Sequence, residues 1–260
     1  AETLGVEYEK VRTQVADTES TGFCNVTGGS RTTFATGMAV TRACEDVIAE
    51  CKKRAAMTWG LDEDQVDWAD GQAIPGPGVN ADVKPLSLAD LAGKAAKTGG
   101  PIQGRASLNA QGAGASFSVN FGDLRVDQET GKIDVLSYTA VQDAGKAIHP
   151  SYVEGQMQGG AAQGLGWALN EEYVFSEDGV LENAGFLDYR IPVCSDLPMI
   201  DTAIVEVANP SHPYGVRGVG ETPIVAPLAV ATNAVSRSLN MRICTLPLSP
   251  PNVLEAIDAE

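Results

Sequence analysis

The chain has 260 residues, of which 43% are apolar and 20% charged, enough to bury a sizeable core in one large or two smaller domains. A net charge of −16 argues against nonspecific nucleic-acid binding, which needs Lys and Arg to neutralise phosphates, and favours solubility. No apolar run reaches the ~18 residues of a membrane helix, and Ala1-Glu2-Thr3-Leu4 lacks a basic, hydrophobic signal region, so a soluble, cytoplasmic protein without a membrane span is expected.

Residues 1–15 read as the end of a helix, a break at Leu4-Gly5-Val6, and a strand in which Val11, Thr13 and Val15 alternate. The polar segment Thr27-Gly28-Gly29-Ser30-Arg31-Thr32-Thr33 precedes a helix expected from about Gly37 to Met57, with Val40, Cys44, Val47, Ile48 and Cys51 on one side. Backbone N–H groups near a helix start, the hydroxyls of Ser30, Thr32 and Thr33, and the Arg31 guanidinium suit a phosphate. A capping turn is the plainer reading of the same residues. Residues 62–85, with the Pro/Gly cluster Ile74-Pro75-Gly76-Pro77-Gly78, predict a surface hairpin and loop. Ser87 with Asp90 starts a short helix.

From about Ala115 the pattern turns to alternation. Phe117, Val119, Phe121, Leu124 and Val126, then Ile133, Val135 and Tyr138 after the Glu129-Thr130-Gly131-Lys132 turn, predict a hairpin with one buried face. It leads into Val141-Gln142-Asp143-Ala144-Gly145, where Asp143 is suited to anchoring the loop. His149 is either a metal ligand or acid/base group, or a structural residue; His212 is the only other histidine, so a two-His metal site is weakly supported. Ser151 to Glu172 predicts a helix despite Gly155, Gly159, Gly160, Gly164 and Gly166. Each glycine costs ~1 kcal/mol relative to Ala, so close packing against a backbone or a ligand is the expected compensation. Gln156 and Gln163 are seven apart and project to roughly the same face. Val174 to Leu181, with Asp178-Gly179, predicts another hairpin, Ile200 to Val207 a strand, and the proline-rich tail a final helix. The class is α+β, with β hairpins and helices in layers, divided near residue 105 into 1–105 and 106–260.

Five scattered cysteines, Cys24, Cys44, Cys51, Cys194 and Cys244, have no close two-residue spacing and predict buried free thiols rather than a zinc or iron–sulfur site. No stretch suggests a dinucleotide fold for flavin.

The stretch His212-Pro213-Tyr214-Gly215-Val216-Arg217-Gly218-Val219-Gly220-Glu221-Thr222-Pro223 joins a Gly-rich backbone to one carboxylate. Pro227 is the expected opening of the next helix, whose apolar positions are Leu228, Ala231, Val235 and Leu239. Glu221 would stand just before it; desolvated, such a carboxylate suits a general base or acid, and otherwise it is a helix cap.

The run Gly-Val-Arg-Gly-Val-Gly-Glu-Thr-Pro resembles the active-site loop of the xanthine oxidase family of molybdenum hydroxylases, which includes xanthine dehydrogenases, aldehyde oxidoreductases and carbon monoxide dehydrogenase large subunits. Two further motifs agree in order: Val141 to Pro150 followed by Glu154-Gly155-Gln156 to Gly166, with His149 replacing the usual Asn, and Thr27 to Thr33 with Gly37. Asp188-Tyr189-Arg190-Ile191-Pro192 is similar to a family stretch as well. The resemblance is to the C-terminal part of the molybdopterin-binding domain; the family's upstream Gly-Gln-Gly and Gly-Gly-Phe-Gly segments are not found. It implies that Glu221 is the catalytic base, that Gly28, Gly29, Ser30, Arg31, Thr32 and Thr33 carry the pterin phosphate or pyrophosphate, and that Gln156, Gln163 and Gly220 contact the cofactor. That cofactor would be molybdopterin or its cytosine dinucleotide form, whose dithiolene holds molybdenum without a protein ligand. Further implied are hydroxylation with water as oxygen source, iron–sulfur clusters and FAD on partner chains, and dependence on the remaining N-terminal part of the molybdenum subunit. Aldehydes, purines, N-heterocycles and aromatic acyl thioesters all stay open as substrates. The contrasting reading is a noncatalytic fragment or assembly subunit that keeps the fold without metal.

Overall fold

The computed structural model describes residues 1–260 except Ala16, Ser20, Thr21, Asn80, Ala81, Ala113 and Glu260. The chain forms two compact units, one of Ala1–Val26 and Ala35–Gln111, the other of Thr27–Phe34 and Gly112–Glu260.

The long helix α1 (Thr32–Trp59), which belongs to the first unit from Ala35 onward, carries Cys51, Ala55 and Ala56 on its buried side. They pack with Val66 and Ala73 of the hairpin β1 (Val66–Ala69) and β2 (Gln72–Pro75) and with Leu91 of α2 (Leu88–Gly93). β3 (Leu86–Ser87) adds to β2, so the small sheet is antiparallel in the order β1-β2-β3, and α3 (Ala95–Thr98) follows α2. The predicted hairpin is present, but it turns at Asp70 and Gly71, both with positive φ, as a two-residue turn needs. The Pro/Gly cluster lies at and after the end of β2. Asn80 and Ala81, inside the region predicted as hairpin and loop, lie outside the described residues. The Ser87–Asp90 cap forms in both directions: Ser87 Oγ accepts the Asp90 N–H at 3.1 Å and Asp90 Oδ2 accepts the Ser87 N–H at 3.0 Å.

Two expectations in this unit fail. Residues 11–15 are not a strand, since alternation makes one only where a partner supplies a ladder; Val15 is exposed, and a short 3-10 helix, Tyr8–Lys10, precedes it. α1 begins at Thr32 rather than near Gly37. The Gly-rich segment ends at Gly29, Ser30 takes a positive φ of 54°, and helical geometry starts two residues later; Gly37 is simply tolerated inside the helix.

The second unit is a three-stranded sheet, β4 (Phe117–Val126), β5 (Ile133–Asp143) and β6 (Ile200–Val205), with β5 in the middle, antiparallel to β4 and parallel to β6. Helices α4 (Pro150–Leu169), α5 (Thr222–Leu239) and α6 (Pro250–Asp258) complete it. Its core joins Val135, Tyr138 and Ala140 of β5 to Met157, Ala161 and Leu165 of α4, Ala231 and Val235 of α5, and Val253 of α6. The predicted α+β class is borne out. The hairpin expected at Val174–Leu181 reduces to a single bridge between Phe175 and Leu181.

The glycines of α4 divide by environment. A Cβ on Gly160 would lie 2.8 Å from Pro223 Cβ, and one on Gly164 would lie 2.7 Å from the Ile224 carbonyl oxygen, so these two let α4 approach the first turns of α5. Gly155 and Gly159 face open space. α5 opens at Thr222 with Pro223 in its first turn, correcting the expectation that Pro227 starts it. Pro227 lies inside the helix, where it cannot donate to the Pro223 carbonyl; its ring is buried against the Gly164 position.

Cysteine burial was overestimated. Cys51 is buried and Cys44 half-buried, but Cys24, Cys194 and Cys244 are exposed. These three lie outside helices and strands, in loop segments that leave them uncovered. All five are free, as expected.

Candidate active site

The site is built where β5 ends and α4 and α5 begin. Asp143, the last residue of β5, uses Oδ1 to accept the N–H groups of Gly145 and Val207 at 2.9 and 3.1 Å. Its Oδ2 pairs with Arg217 Nε at 3.2 Å, each side chain being 13% exposed. Arg217 also donates to the carbonyls of Val207 and Ala115 at 3.0 and 2.7 Å. The loops before α4 and α5 are stitched directly as well. Gly145 forms a β-bridge with Val216, Lys146 N–H donates to Gly215 O at 2.9 Å, and Arg217 N–H donates to Ala144 O at 3.1 Å. A side chain on Gly145, with φ of 63°, would collide with the Gly215 carbonyl, so the crossing requires glycine. Asp143 thus has the anchoring role expected of it.

Glu221 is the N-cap of α5. Its N–H donates to Ser30 Oγ at 2.7 Å, and its Oε1 accepts the Gly29 N–H at 3.1 Å. The segment expected to hold a phosphate is therefore also the segment that holds the expected base. Both contacts fall within the second unit, to which Thr27–Phe34 belongs. The loop glycines permit this closeness: a Cβ on Gly218 would lie 2.8 Å from Ser30 Cβ, and one on Gly220 would lie 3.1 Å from Gln156 Oε1 and 3.5 Å from Ser30 Oγ. Glu221 is exposed, so the desolvation considered from the sequence is not provided by these residues.

Ser30, Thr32, Thr33, Gln156 and Gly220 line a cleft of about 630 Å³, together with Thr27, Lys146, His149, Tyr152, Gly155 and Arg217. Among the described lining residues there is no carboxylate, although the chain as a whole is strongly acidic. Hydroxyls, one amide, the His149 ring and two cations form the polar wall, Arg217 being paired with Asp143 and Lys146 with Glu206 at 3.1 Å, so the hydroxyls and the amide are the donors left for an anionic ligand. Positions 28, 29 and 155 have open space where a Cβ would stand. Glu221, Gly28, Gly29, Arg31 and Gln163, singled out with these residues, are not part of the lining; Glu221 follows the lining residue Gly220, and Gln163 lies on an exposed part of α4 two turns beyond Gln156.

The histidines do not form a metal site, and no group of three or more His, Cys, Asp or Glu residues among the described ones can hold a metal ion. His149 caps the start of α4, stacks on Tyr152 with ring centroids 4.0 Å apart, and lies 3.2 Å from Ser151 Oγ through Nδ1. His212 is buried, packs against Phe34, and accepts the Tyr214 N–H on Nδ1 at 3.0 Å. Burial holds its pKa below the ordinary histidine value, a shift partly opposed by a bond with the Phe34 backbone.

Three supporting residues were not singled out as such from sequence: Gln142, Ser116 and Arg217. Gln142, 1% exposed, donates to the Gly218 and Val219 carbonyls at 3.2 and 3.4 Å, and Ser116 Oγ donates to Gly218 O at 2.7 Å. The available signal was a glutamine at a position where alternation along β5 places side chains in the core.

Residues 1–198 match the model of the molybdopterin cofactor-binding domain. The putative xanthine dehydrogenase molybdenum-binding subunit of Escherichia coli K12 is 32% identical over 267 aligned residues, covering 98% of this chain and 34% of that protein. The aldehyde oxidoreductase of Megalodesulfovibrio gigas is 30% identical over 98% of this chain and 26% of its own length. The chain thus spans about a quarter to a third of the length of these curated relatives. The fold is shared with the reconstituted CO dehydrogenase from Oligotropha carboxidovorans, with a TM-score of 0.81 at 24% identity over 93% of this chain and 31% of that one. On this match and on the motifs gathered around the cleft, the chain belongs to the molybdopterin cofactor-binding domain family.

Proposed function

We propose that the chain is the molybdopterin-binding portion of a cytoplasmic molybdenum hydroxylase, which oxidises a substrate carbon with water as oxygen source and passes electrons to iron–sulfur and flavin partners. It works with the rest of a molybdenum subunit. The observation that carries this reading is the bonding of Glu221 to Gly29 and Ser30 of the Thr27–Thr33 loop, one residue after Gly220, which stands against Gln156 and lines a cleft whose described lining has no carboxylate of its own.

The residues fit the cofactor. Hydroxyls of Thr27, Thr32 and Thr33 at the start of α1 supply donors for a phosphate, and the open positions 28, 29 and 155 leave room for a bulky group. Gln156 offers a neutral amide that donates and accepts without adding charge. When bound, the pterin cofactor supplies the metal centre and the redox chemistry. Glu221 then acts as the base. With Oε1 bonded to the Gly29 N–H, the carboxylate is oriented, and Oε2 is the oxygen that takes the proton.

Glu221→Gln in the complete enzyme tests the assignment. Molybdenum content should stay at the wild-type level while turnover with the best of a panel of aldehydes, purines and N-heterocycles falls ~10²–10⁴-fold, as for loss of a general base. Undiminished turnover would rule out the base role. A wild-type complex without molybdenum would favour the noncatalytic reading.

A further inference from the structure

Gln142 is fully buried, yet its amide nitrogen reaches two successive carbonyls, Gly218 O at 3.2 Å and Val219 O at 3.4 Å, in the loop that ends at Glu221. Peptide planarity fixes the consequence. In a trans peptide the N–H points opposite to the C=O, so turning both carbonyls toward Gln142 turns the Val219 and Gly220 N–H groups away from it; both residues line the cleft. Ser116 Oγ supports the same orientation by donating to Gly218 O at 2.7 Å. The next N–H, that of Glu221, goes to Ser30 Oγ. Three consecutive peptide units are thus oriented by side chains rather than by regular secondary structure. Gln142 does this at a cost to the fold, because its Oε1 is buried with no partner among the described residues. A methionine would fill the same space without the unpaired oxygen but would take the amide donor from the Val219 carbonyl, so what the amide specifically adds is the orientation of this loop.

We propose that Gln142 is a positioning residue for Glu221. It sets the Gly218–Gly220 peptides so that the Val219 and Gly220 N–H groups point away from it and the carboxylate stands at the start of α5. The role rests on the function proposed above. Gln142 does not touch the reacting atoms and acts through the loop.

The test uses Gln142→Met, which keeps side-chain length and removes the donor, in the complete enzyme, with Ser116→Ala as a milder second variant. Both should keep wild-type molybdenum content and a melting temperature within a few degrees of the parent's, the loss reflecting the hydrogen bonds removed. Exchange of the Glu221 amide, whose N–H Ser30 Oγ accepts, should accelerate at least ~10-fold in Gln142→Met, while β5 and α4 stay as protected as in the parent. In the same variant kcat should fall at least ~10-fold at unchanged KM. Unaltered exchange at Glu221 would overturn the positioning role, and so would acceleration spread equally through β5 and α4, which signals general loosening. These failures are separable from failure of the function itself, which would show as absence of molybdenum from the wild-type complex or as full turnover in Glu221→Gln.

Discussion

Replacing Gly164 with alanine places a methyl group 2.7 Å from the Ile224 carbonyl oxygen and 2.8 and 2.9 Å from the Pro227 ring carbons. An ordinary contact begins near 3.4 Å, so the shortfall is about 0.7 Å, and none of the opposing atoms belongs to a side chain that can swing aside. α4 and α5 must separate. Overpacking of this kind costs ~1–3 kcal/mol, against a helix-propensity gain of up to ~1 kcal/mol. Gly159→Ala, one turn earlier on the same helix, has the same propensity gain but nothing within 4 Å of the new methyl. Comparing the two variants cancels propensity and leaves the packing cost, ~1–3 kcal/mol. Thermal unfolding of the complete subunit followed by circular dichroism reads this directly, with Gly164→Ala melting lower. Because the strain falls on the first turn of α5, that variant should also lose turnover, whereas Gly159→Ala should not. Equal melting temperatures, or the reverse order, would show that helix contact does not explain the glycines of α4.

Asp143→Asn keeps an acceptor for the Gly145 and Val207 N–H groups but removes the charge opposite Arg217, which is 13% exposed. Breaking a fully buried pair costs ~3–5 kcal/mol; this pair is only part-buried and Arg217 retains two carbonyl partners, so chemical denaturation should find a smaller loss, ~1–3 kcal/mol. His212 gives a pH prediction. Burial holds its folded pKa below the ordinary histidine value of about 6.5, so at low pH the unfolded chain binds the proton more readily. The associated stability is fully present above about 6.5 and declines as pH falls below it. Urea unfolding at stepped pH should show this decline, and His212→Gln should flatten it; a slope unchanged by the substitution would assign the effect to other groups.

What was legible in the sequence follows the range of the interactions involved. The β4–β5 hairpin, α4 and the Ser87 cap are specified by neighbours close in the chain, through alternation, spacing and turn residues, and they stand where expected. Residues 11–15 alternate just as clearly but find no ladder, because strand formation depends on a partner that periodicity does not reveal. Pro227 was misplaced for a similar reason. A proline reads as a helix start unless an earlier one, here Pro223, has already taken that position, and its place inside the helix depends on packing with α4. Resemblance of the loop motifs to a known family, rather than residue type alone, singled out Ser30, Thr32, Thr33 and Gln156, which line the cleft, and Glu221, which caps α5 next to the lining residue Gly220. The bonds from Gln142 and Ser116 to the Gly218 carbonyl span 76 and 102 positions, and no local pattern encodes them.

The bridge between Gly145 and Val216 bears on how this cleft can be moved between proteins. Each of the two loops completes the hydrogen bonding of the other, and the Asp143–Arg217 pair locks the same crossing. Segments 141–156 and 212–224 therefore behave as a single cassette. Exchanged together into a relative's scaffold they carry their own internal joints; exchanged singly, each would arrive facing a mismatched counterpart.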